Sequence, residues 1–376
     1  MARKTNVAVN GKEYYRVTRT IGKKADGTPI RKQFYGTGIN EANEKADKYM
    51  NDIKNGLLPS FETVNINDLM HTWLFDFLHN SAKIKPSTFQ RYEGIYRNYI
   101  KVSSIAGIQP NALTVMQLQK YYNKLSETHS YTQVNTCNTV LKVFFNWCID
   151  NGYMLKNPSS KVILKGDKSK ITASKHEKVE ILTEKEMKTI KEYLKGTDFE
   201  LLFLLDLTTG LRIGELLALD WEHIDFKKKE LTVERSVKEV YIFDSDTKRH
   251  IESIFQTPKT LNSYRKVPIS ASLIPPLKKR KNKQKEGLLF SSENGQPLKA
   301  KNIASDWRKI LIECKIPHRK FHAIRHTYGS MLLKNGVDIK TVADLMGHTT
   351  ISITQIYLHT SGEQKHDAVK KIDYLI

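Results

Sequence analysis

The residues able to do chemistry stand in short motifs along the last two hundred or so positions. Arginine, histidine and tyrosine recur there, side chains that bind anions, move protons and act as nucleophiles. The first motif is Thr208-Thr209-Gly210-Leu211-Arg212-Ile213-Gly214-Glu215-Leu216, entered from the apolar run Phe199 to Leu207. Arg212 and Glu215 lie one helical turn apart. An arginine at a glycine-opened helix start would be aimed into a cleft, where Glu215 could orient it. The same spacing also suits an i,i+3 surface ion pair, which is worth little. The second motif, His322-Ala323-Ile324-Arg325-His326, puts His322 and Arg325 on one helix face. In the third, Gly347 stops a helix that Asp338 caps, so His348 falls just past its end. Tyr357 follows nine positions later. Taken singly, such a tyrosine beside Ile353 and Ile356 reads as core, and such a histidine as a helix cap.

Several other chemistries lack support. The chain has no GxxxxGK[ST] phosphate loop, no GxSxG elbow and no HExxH helix. A metal-dependent transposase or nuclease would need a carboxylate cluster for two ions. Asp206, Asp220 and Asp225 stand at spacings that also suit surface and turn roles. A zinc site built from His322, His326, His348 and His359 is disfavoured by the arginine between the first two. Cys137, Cys148 and Cys314 show no CxxC spacing, which rules out a disulfide scaffold and fits a reducing cytoplasm.

The elements that must position these residues fall into segments. The chain has 376 residues, enough for two or three domains, and 61 Lys+Arg against 40 Asp+Glu give a net charge of +21. That charge points to a polyanionic partner, DNA or RNA. Mean hydropathy is −0.48. The longest apolar stretch, around Phe199 to Leu205, is too short to span a bilayer. Residues 13–20 and 30–36 read as strands joined by a turn at Ala25-Asp26-Gly27-Thr28-Pro29, and Asn40 as the cap of a helix over 41–54. Alternation places Tyr15, Val17 and Arg19 on one strand face, Arg16 and Thr18 on the other. Leu57-Leu58-Pro59-Ser60 reads as a linker. Residues 67–157 are helical throughout, with an aromatic core stripe that includes Trp73, Leu74, Phe77 and Leu78. Residues 161–178, rich in Lys, Ser and Gly, form a second linker. Beyond them the pattern mixes helices with strands near 230–235, 239–243 and 263–269.

Together and in this order, the motifs resemble the tyrosine recombinase (phage integrase) family, recognised by TGLRxGE, HxxRH, GH and a tyrosine about nine residues later. Here these are Thr209 to Glu215, His322 to His326, Gly347-His348 and Tyr357. The flanking Leu332-Leu333, Gly336, Leu345 and Thr354 agree. The family also carries a lysine on a β-hairpin between its two arginines, which nominates Lys259 in Thr257-Pro258-Lys259-Thr260. Lys266 stands close by.

What the resemblance implies is specific. Arg212 and Arg325 would clamp the non-bridging oxygens of a phosphodiester, and Tyr357 would attack it to form a 3′-phosphotyrosine. Lys259 would protonate the leaving 5′ oxygen, His322 and His348 would assist, and Glu215 would support Arg212. Because the covalent link conserves the bond energy, no cofactor and no metal is expected. The fold class implied is multidomain and mainly α with small β-sheets. Residues 1–57 would be a three-stranded sheet plus helix binding arm-type DNA sites through Arg16, Arg19, Lys23, Lys24, Arg31 and Lys32. Residues 62–160 would be a helical core-site-binding domain, 161–178 a linker, and 179–376 a mixed α+β catalytic domain. Expected partners are double-stranded DNA attachment sites of core and arm types, further copies in a DNA-bound tetramer, and accessory DNA-bending and directionality proteins. The implied activity is integration and excision of a mobile element through a Holliday junction, in the cytoplasm on nucleoid DNA. The alternative is a chromosome-dimer-resolving or topoisomerase-like tyrosine recombinase, with a metal-dependent transposase behind it. The tail from Gly362, with Val369, Ile372 and Leu375 at helical spacing, would pack on a neighbouring protomer or fold back on its own domain.

Overall fold

The computed structural model describes residues 6–81, 84–165, 180–257 and 264–357. The chain forms two compact units: residues 1–166 with 243–249, and residues 167–242 with 250–376. Lys259, the tail beyond Tyr357 and residues 166–178 of the expected linker lie outside the described residues.

The first unit opens with a three-stranded antiparallel sheet, Val7–Val9, Lys12–Lys23 and Pro29–Gly36, in sequence order. Residue patterns alone indicated only the last two strands. The first is joined on by Asn10-Gly11, a two-residue loop with φ of 49° and 76°. Positive φ at both positions matches the right-handed twist of a hairpin, which explains why Asn-Gly stands there. Helix Ile39–Lys54 covers one sheet face through Ala42, Ala46 and Tyr49. It begins two residues earlier than a cap at Asn40 would allow. Gly38 is the cap residue, and the Glu41 carboxylate reaches back to accept the Thr37 N–H at 2.7 Å.

In the segment expected as a linker, 57–60, Leu57 is buried while Leu58, Pro59 and Ser60 are exposed. Leu57 and Phe61 share a core with Phe34 and Tyr49, and the Tyr49 and Phe61 rings stack at 5.4 Å. The Leu58 N–H donates to the Gly152 carbonyl at 2.8 Å, tying this segment to the helical part of the unit.

The helical part contains Ile66–Thr72, Pro86–Ile95, Val115–Thr128 and Tyr131–Asp150. Capping boxes at Thr114/Gln117 and Ser130/Gln133 start the last two helices. The aromatic stripe is core, with Trp73, Tyr122, Phe144 and Phe145 almost fully buried. Phe77 departs from the expectation and is 54 % exposed. Residues Trp73–Leu78 adopt a wider π-helical turn, which carries Phe77 off the buried stripe. Segment 243–249 completes the unit. The Phe243 ring packs 5.1 Å from Phe89, its carbonyl meets His79 Nε2 at 2.8 Å, and Arg249 pairs with buried Glu93 at 3.4 Å.

The second unit holds the helices Glu184–Leu194, Asp198–Thr209, Ile274–Lys283, Ala300–Glu313, Ala323–Lys334 and Ile339–Met346. A three-stranded antiparallel sheet runs in the order Ile224–Asp225, Glu230–Val233, Arg265–Pro268. Ser236–Phe243 pairs with Arg249–Gln256, a strand that the sequence pattern did not single out. The core gathers Phe203, Leu231, Val267, Leu289, Trp307 and Ile324. Among the described residues, no helix is long and apolar enough to cross a membrane.

Candidate active site

Two helix ends build the site. Helix Asp198–Thr209 is buried on several sides and stops at Gly210, whose φ is 58°. A Cβ there would lie 2.2 Å from the Tyr328 ring, so glycine is required by both conformation and space. The chain then extends through Arg212, the cap residue of the short helix Ile213–Leu216. Helix Ile339–Met346 is capped by Asp338, which accepts the Thr341 N–H at 2.9 Å, and stops at Gly347, φ 65°. The turn that follows delivers His348, whose N–H donates to the Ala343 carbonyl at 2.9 Å.

Around these ends the arginines are held by several acceptors each. Arg212 Nη1 donates to Glu215 Oε1 at 2.8 Å, and its Nη2 to the Gly347 carbonyl at 2.9 Å. The Arg212 N–H donates to Glu215 Oε2 at 3.0 Å. Arg325, from helix Ala323–Lys334, is 1 % exposed. Its guanidinium donates to the carbonyls of Gly210 and Met346 and to His348 Nε2 at 3.0 Å. Burial and the neighbouring Arg212 charge lower the Arg325 pKa to about 10, which leaves it cationic at neutral pH. The Arg212 side chain is 42 % exposed and borders a cavity lined by Ser236, Lys238, Ser253, Gln256 and Lys301.

A third arginine, Arg265, completes the cluster and was not singled out from the sequence. Its Nη2 donates to Glu215 Oε2 at 2.7 Å and its Nε to the Leu345 carbonyl at 2.8 Å. A Cβ on Gly347 would come within 2.8 Å of Arg265 Nη1. Arg265 therefore joins Glu215 to the turn that presents Gly347 and His348. A signal did exist: Arg265 alternates with Val267 and Ile269, both buried, so it occupies an inward register. Burial raises the Glu215 carboxyl, but hydrogen bonds and charge from Arg265 and Arg212 prevail and bring it down to about 2. One carboxylate thus faces three guanidiniums, and the pocket carries a local excess of positive charge suited to an anion.

The histidines are neutral. Burial, then the surrounding charges, lowers both His322 and His348 to about 4, with His326 first among the charges on His322 and Arg325 on His348. Since guanidinium only donates, His348 Nε2 must accept from Arg325. Its Nδ1 therefore carries the proton and donates to Thr354 Oγ1 at 2.7 Å. Tyr357 ends the segment in a 3₁₀ turn, buried, with its ring stacked 6.3 Å from His348. Its hydroxyl lies 2.8 Å from Nδ1 of His326, a second contact the sequence did not disclose. Burial raises the Tyr357 phenol, while Arg325 and Arg212 pull it down. The structure thus brings together Arg212, Glu215, His322, Arg325, His348 and Tyr357.

The six N-terminal basic residues do not form one surface. Arg16, Lys23, Lys24 and Arg31 are exposed. Arg19 instead donates to Asn43 at 3.0 Å, and Lys32 pairs with Glu62 and lies 4.2 Å over the Tyr49 ring. Strand alternation turns those two toward the covering helix and its flank. Register pairs Arg16 with Tyr35, Thr18 with Gln33 and Thr20 with Arg31 on the open face.

Comparison with known proteins agrees with this architecture. The pattern of the phage integrase family matches residues 180–364. A "tyrosine recombinase XerC-like" protein of Caldanaerobacter subterraneus subsp. tengcongensis is 46 % identical over the full length of both chains. The Tn1549 transposon integrase in complex with transposon right end DNA superposes with a TM-score of 0.62 at 20 % identity, over 82 % of this chain and 99 % of that one. A lambda integrase dimer bound to a COC′ core site gives 0.55 at 14 % identity over 95 % of both chains. The chain belongs to the phage integrase family of tyrosine recombinases. It is a site-specific DNA recombinase.

Proposed function

We propose that the protein integrates and excises a mobile element, cleaving and rejoining DNA at paired attachment sites through a 3′-phosphotyrosine and a Holliday junction. The observation that carries this reading is the convergence of Arg212, Arg325, His348 and Tyr357 on one positively charged pocket. In-line attack on a phosphodiester adds negative charge to the non-bridging oxygens. Arg212 and Arg325 are fixed guanidinium forks able to meet that charge, each worth about 3 kcal/mol in a water-poor site. Arg325 is prealigned by two carbonyls, so little reorganisation accompanies the reaction. Tyr357 is the nucleophile, and His348 and His322 hold the phosphate or its neighbours by hydrogen bonds. Lys259 supplies the proton to the 5′ oxygen.

The same reading assigns DNA contacts to the rest of the chain. The N-terminal sheet presents Arg16, Thr18, Arg31 and Gln33 on its open face, a polar strand surface that fits the major groove. The helical domain and the catalytic domain would clasp the core site, and four chains would assemble on two sites with accessory bending and directionality proteins. Because Phe61 packs on Tyr49, the sheet domain includes residues just beyond 57.

The test is covalent trapping on a nicked suicide duplex carrying a core site. The wild-type chain should form an adduct that survives denaturation, and Tyr357→Phe should bind the duplex without forming it. An adduct in the phenylalanine variant would exclude Tyr357 as nucleophile.

A further inference from the structure

Among the described residues, the hydroxyl of Tyr357 has one close histidine partner, and it is neither His322 nor His348. His348 is committed on both sides, accepting from Arg325 through Nε2 and donating to Thr354 through Nδ1. Taking a further proton would cost it the Arg325 contact. His322 meets His326 edge-on, with ring centroids 4.5 Å apart. His326 Nδ1 stands 2.8 Å from Tyr357 Oη, within reach for direct transfer.

We propose that His326 is the general base that deprotonates Tyr357 during strand cleavage and returns the proton during rejoining. The inference rests on Tyr357 being the nucleophile. In cleavage the Tyr357 oxygen bonds to phosphorus as the bond from phosphorus to the 5′ oxygen breaks. The phenolic proton passes to His326 Nδ1, and the departing 5′ oxygen takes a proton from a separate donor. In rejoining, the 5′ hydroxyl attacks phosphorus and returns its proton to the group that supplied it, the bond to Tyr357 breaks, and the departing phenolate recovers its proton from His326.

The surroundings suit the role. Burial first, and then the Arg325 charge, lower the His326 pKa, while Glu180 acts in the opposite sense. Among the described residues, His322 and the Tyr357 phenol are further titratable groups against it. The imidazole is therefore neutral at neutral pH and free to accept. Burial keeps the phenol protonated, so the proton moves only as charge develops on phosphorus. Helix Ala323–Lys334 carries both His326 and Arg325, coupling proton acceptor and phosphate clamp through one rigid element.

Single-turnover cleavage by the full-length chain tests this on two substrates. One is the nicked suicide duplex, and the other has sulfur in place of the bridging 5′ oxygen, so that its leaving group needs no proton. His326→Gln and His326→Ala should cleave the ordinary substrate about 10²–10³-fold more slowly. The sulfur substrate should not restore them, since proton removal from Tyr357 is the impaired step. Added imidazole should partly restore His326→Ala. Wild-type cleavage should rise with pH along the His326 titration, below the ordinary histidine range, and His326→Gln should lack that rise. Near-wild-type rates in both variants, restoration by the sulfur substrate, or an unchanged pH profile in His326→Gln would overturn the inference. Should these variants fold poorly, as read by melting and duplex binding, His326→Asn, which keeps a polar side chain that cannot take the proton, replaces them in the same two-substrate comparison. Failure of the underlying reading looks different: either the wild type forms no adduct, or Tyr357→Phe forms one.

Discussion

The arginines of the catalytic pocket and those of the N-terminal sheet are the same residue type under opposite constraints. Arg325 is buried and hydrogen-bonded to two carbonyls and a histidine. Arg265 is 6 % exposed and bonded to Glu215 and the Leu345 carbonyl. Arg16 and Arg31 stand exposed on an open strand face. A guanidinium that stabilises a transition state must be in place before charge develops, and the protein fixes it with backbone acceptors. One that reads a groove must stay free to adapt to base edges and phosphates. Arg19 and Lys32 are a third case, committed to Asn43 and Glu62 within their own unit.

That contrast can be broken experimentally, and the largest effect is expected in the pocket. Tyr357→Phe should abolish covalent adduct while leaving duplex affinity within a fewfold, checked by denaturing gels and band shifts. Arg325→Ala should slow single-turnover cleavage about 10²–10³-fold. Arg325→Lys should recover only part, because an ammonium cannot make the fork to the Gly210 and Met346 carbonyls.

Arg265→Ala should cost about 10–10²-fold in cleavage rate, less than removal of Arg325. Its effect acts through Glu215 and the Gly347 turn rather than on phosphate. Glu215→Gln should show a similar loss, and the double variant should be less than additive, which a mutant cycle on rates would measure. Fully additive losses would separate the two residues.

A further effect of the pocket is on stability. His322 and His348 have folded pKa values near 4 against about 6.5 unfolded, so between those values the unfolded chain binds more protons. Their contribution is complete above pH 6.5 and is lost as pH falls toward 4. Glu215, depressed to about 2, adds a second loss between about 4.5 and 2. Melting temperature should therefore fall by several degrees from pH 7 to pH 4, and His348→Gln should flatten that fall.

The smallest effect is expected at the sheet. Arg16→Ala or Arg31→Ala should weaken arm-type DNA binding about 5–10-fold and reduce the slope of log affinity against log salt by roughly one each. Cleavage at an isolated core site should be unchanged. Arg19→Ala and Lys32→Ala should instead lower the melting temperature by a few degrees with little change in the salt slope. Equal salt slopes for all four would dissolve the distinction between outward and inward cations.

Signals within a few residues were legible in the sequence. The cap at Asp338, the glycines at 210 and 347, and the Arg212–Glu215 pair each depend on groups within about one helical turn. Their geometry follows from local backbone conformation, so residue type and spacing suffice. The order of the motifs likewise placed six site residues in one constellation.

Other features were decided by tertiary packing. Arg265 finds Glu215 across fifty positions, and His326 finds Tyr357 across thirty-one. Which histidine meets the phenol depends on how helix Ala323–Lys334 docks against the turn that ends at Tyr357. His322 and His326 lie one turn apart and were equally eligible by spacing. Strand alternation divided Arg16 from Arg19, but only the helix packed behind the sheet showed which face stayed open. The same holds for Leu57, whose burial depends on Phe34 and Tyr49, residues distant from it in the chain. A local pattern specifies which faces an element has, whereas the partner each face meets is set by the packing of elements distant in the chain.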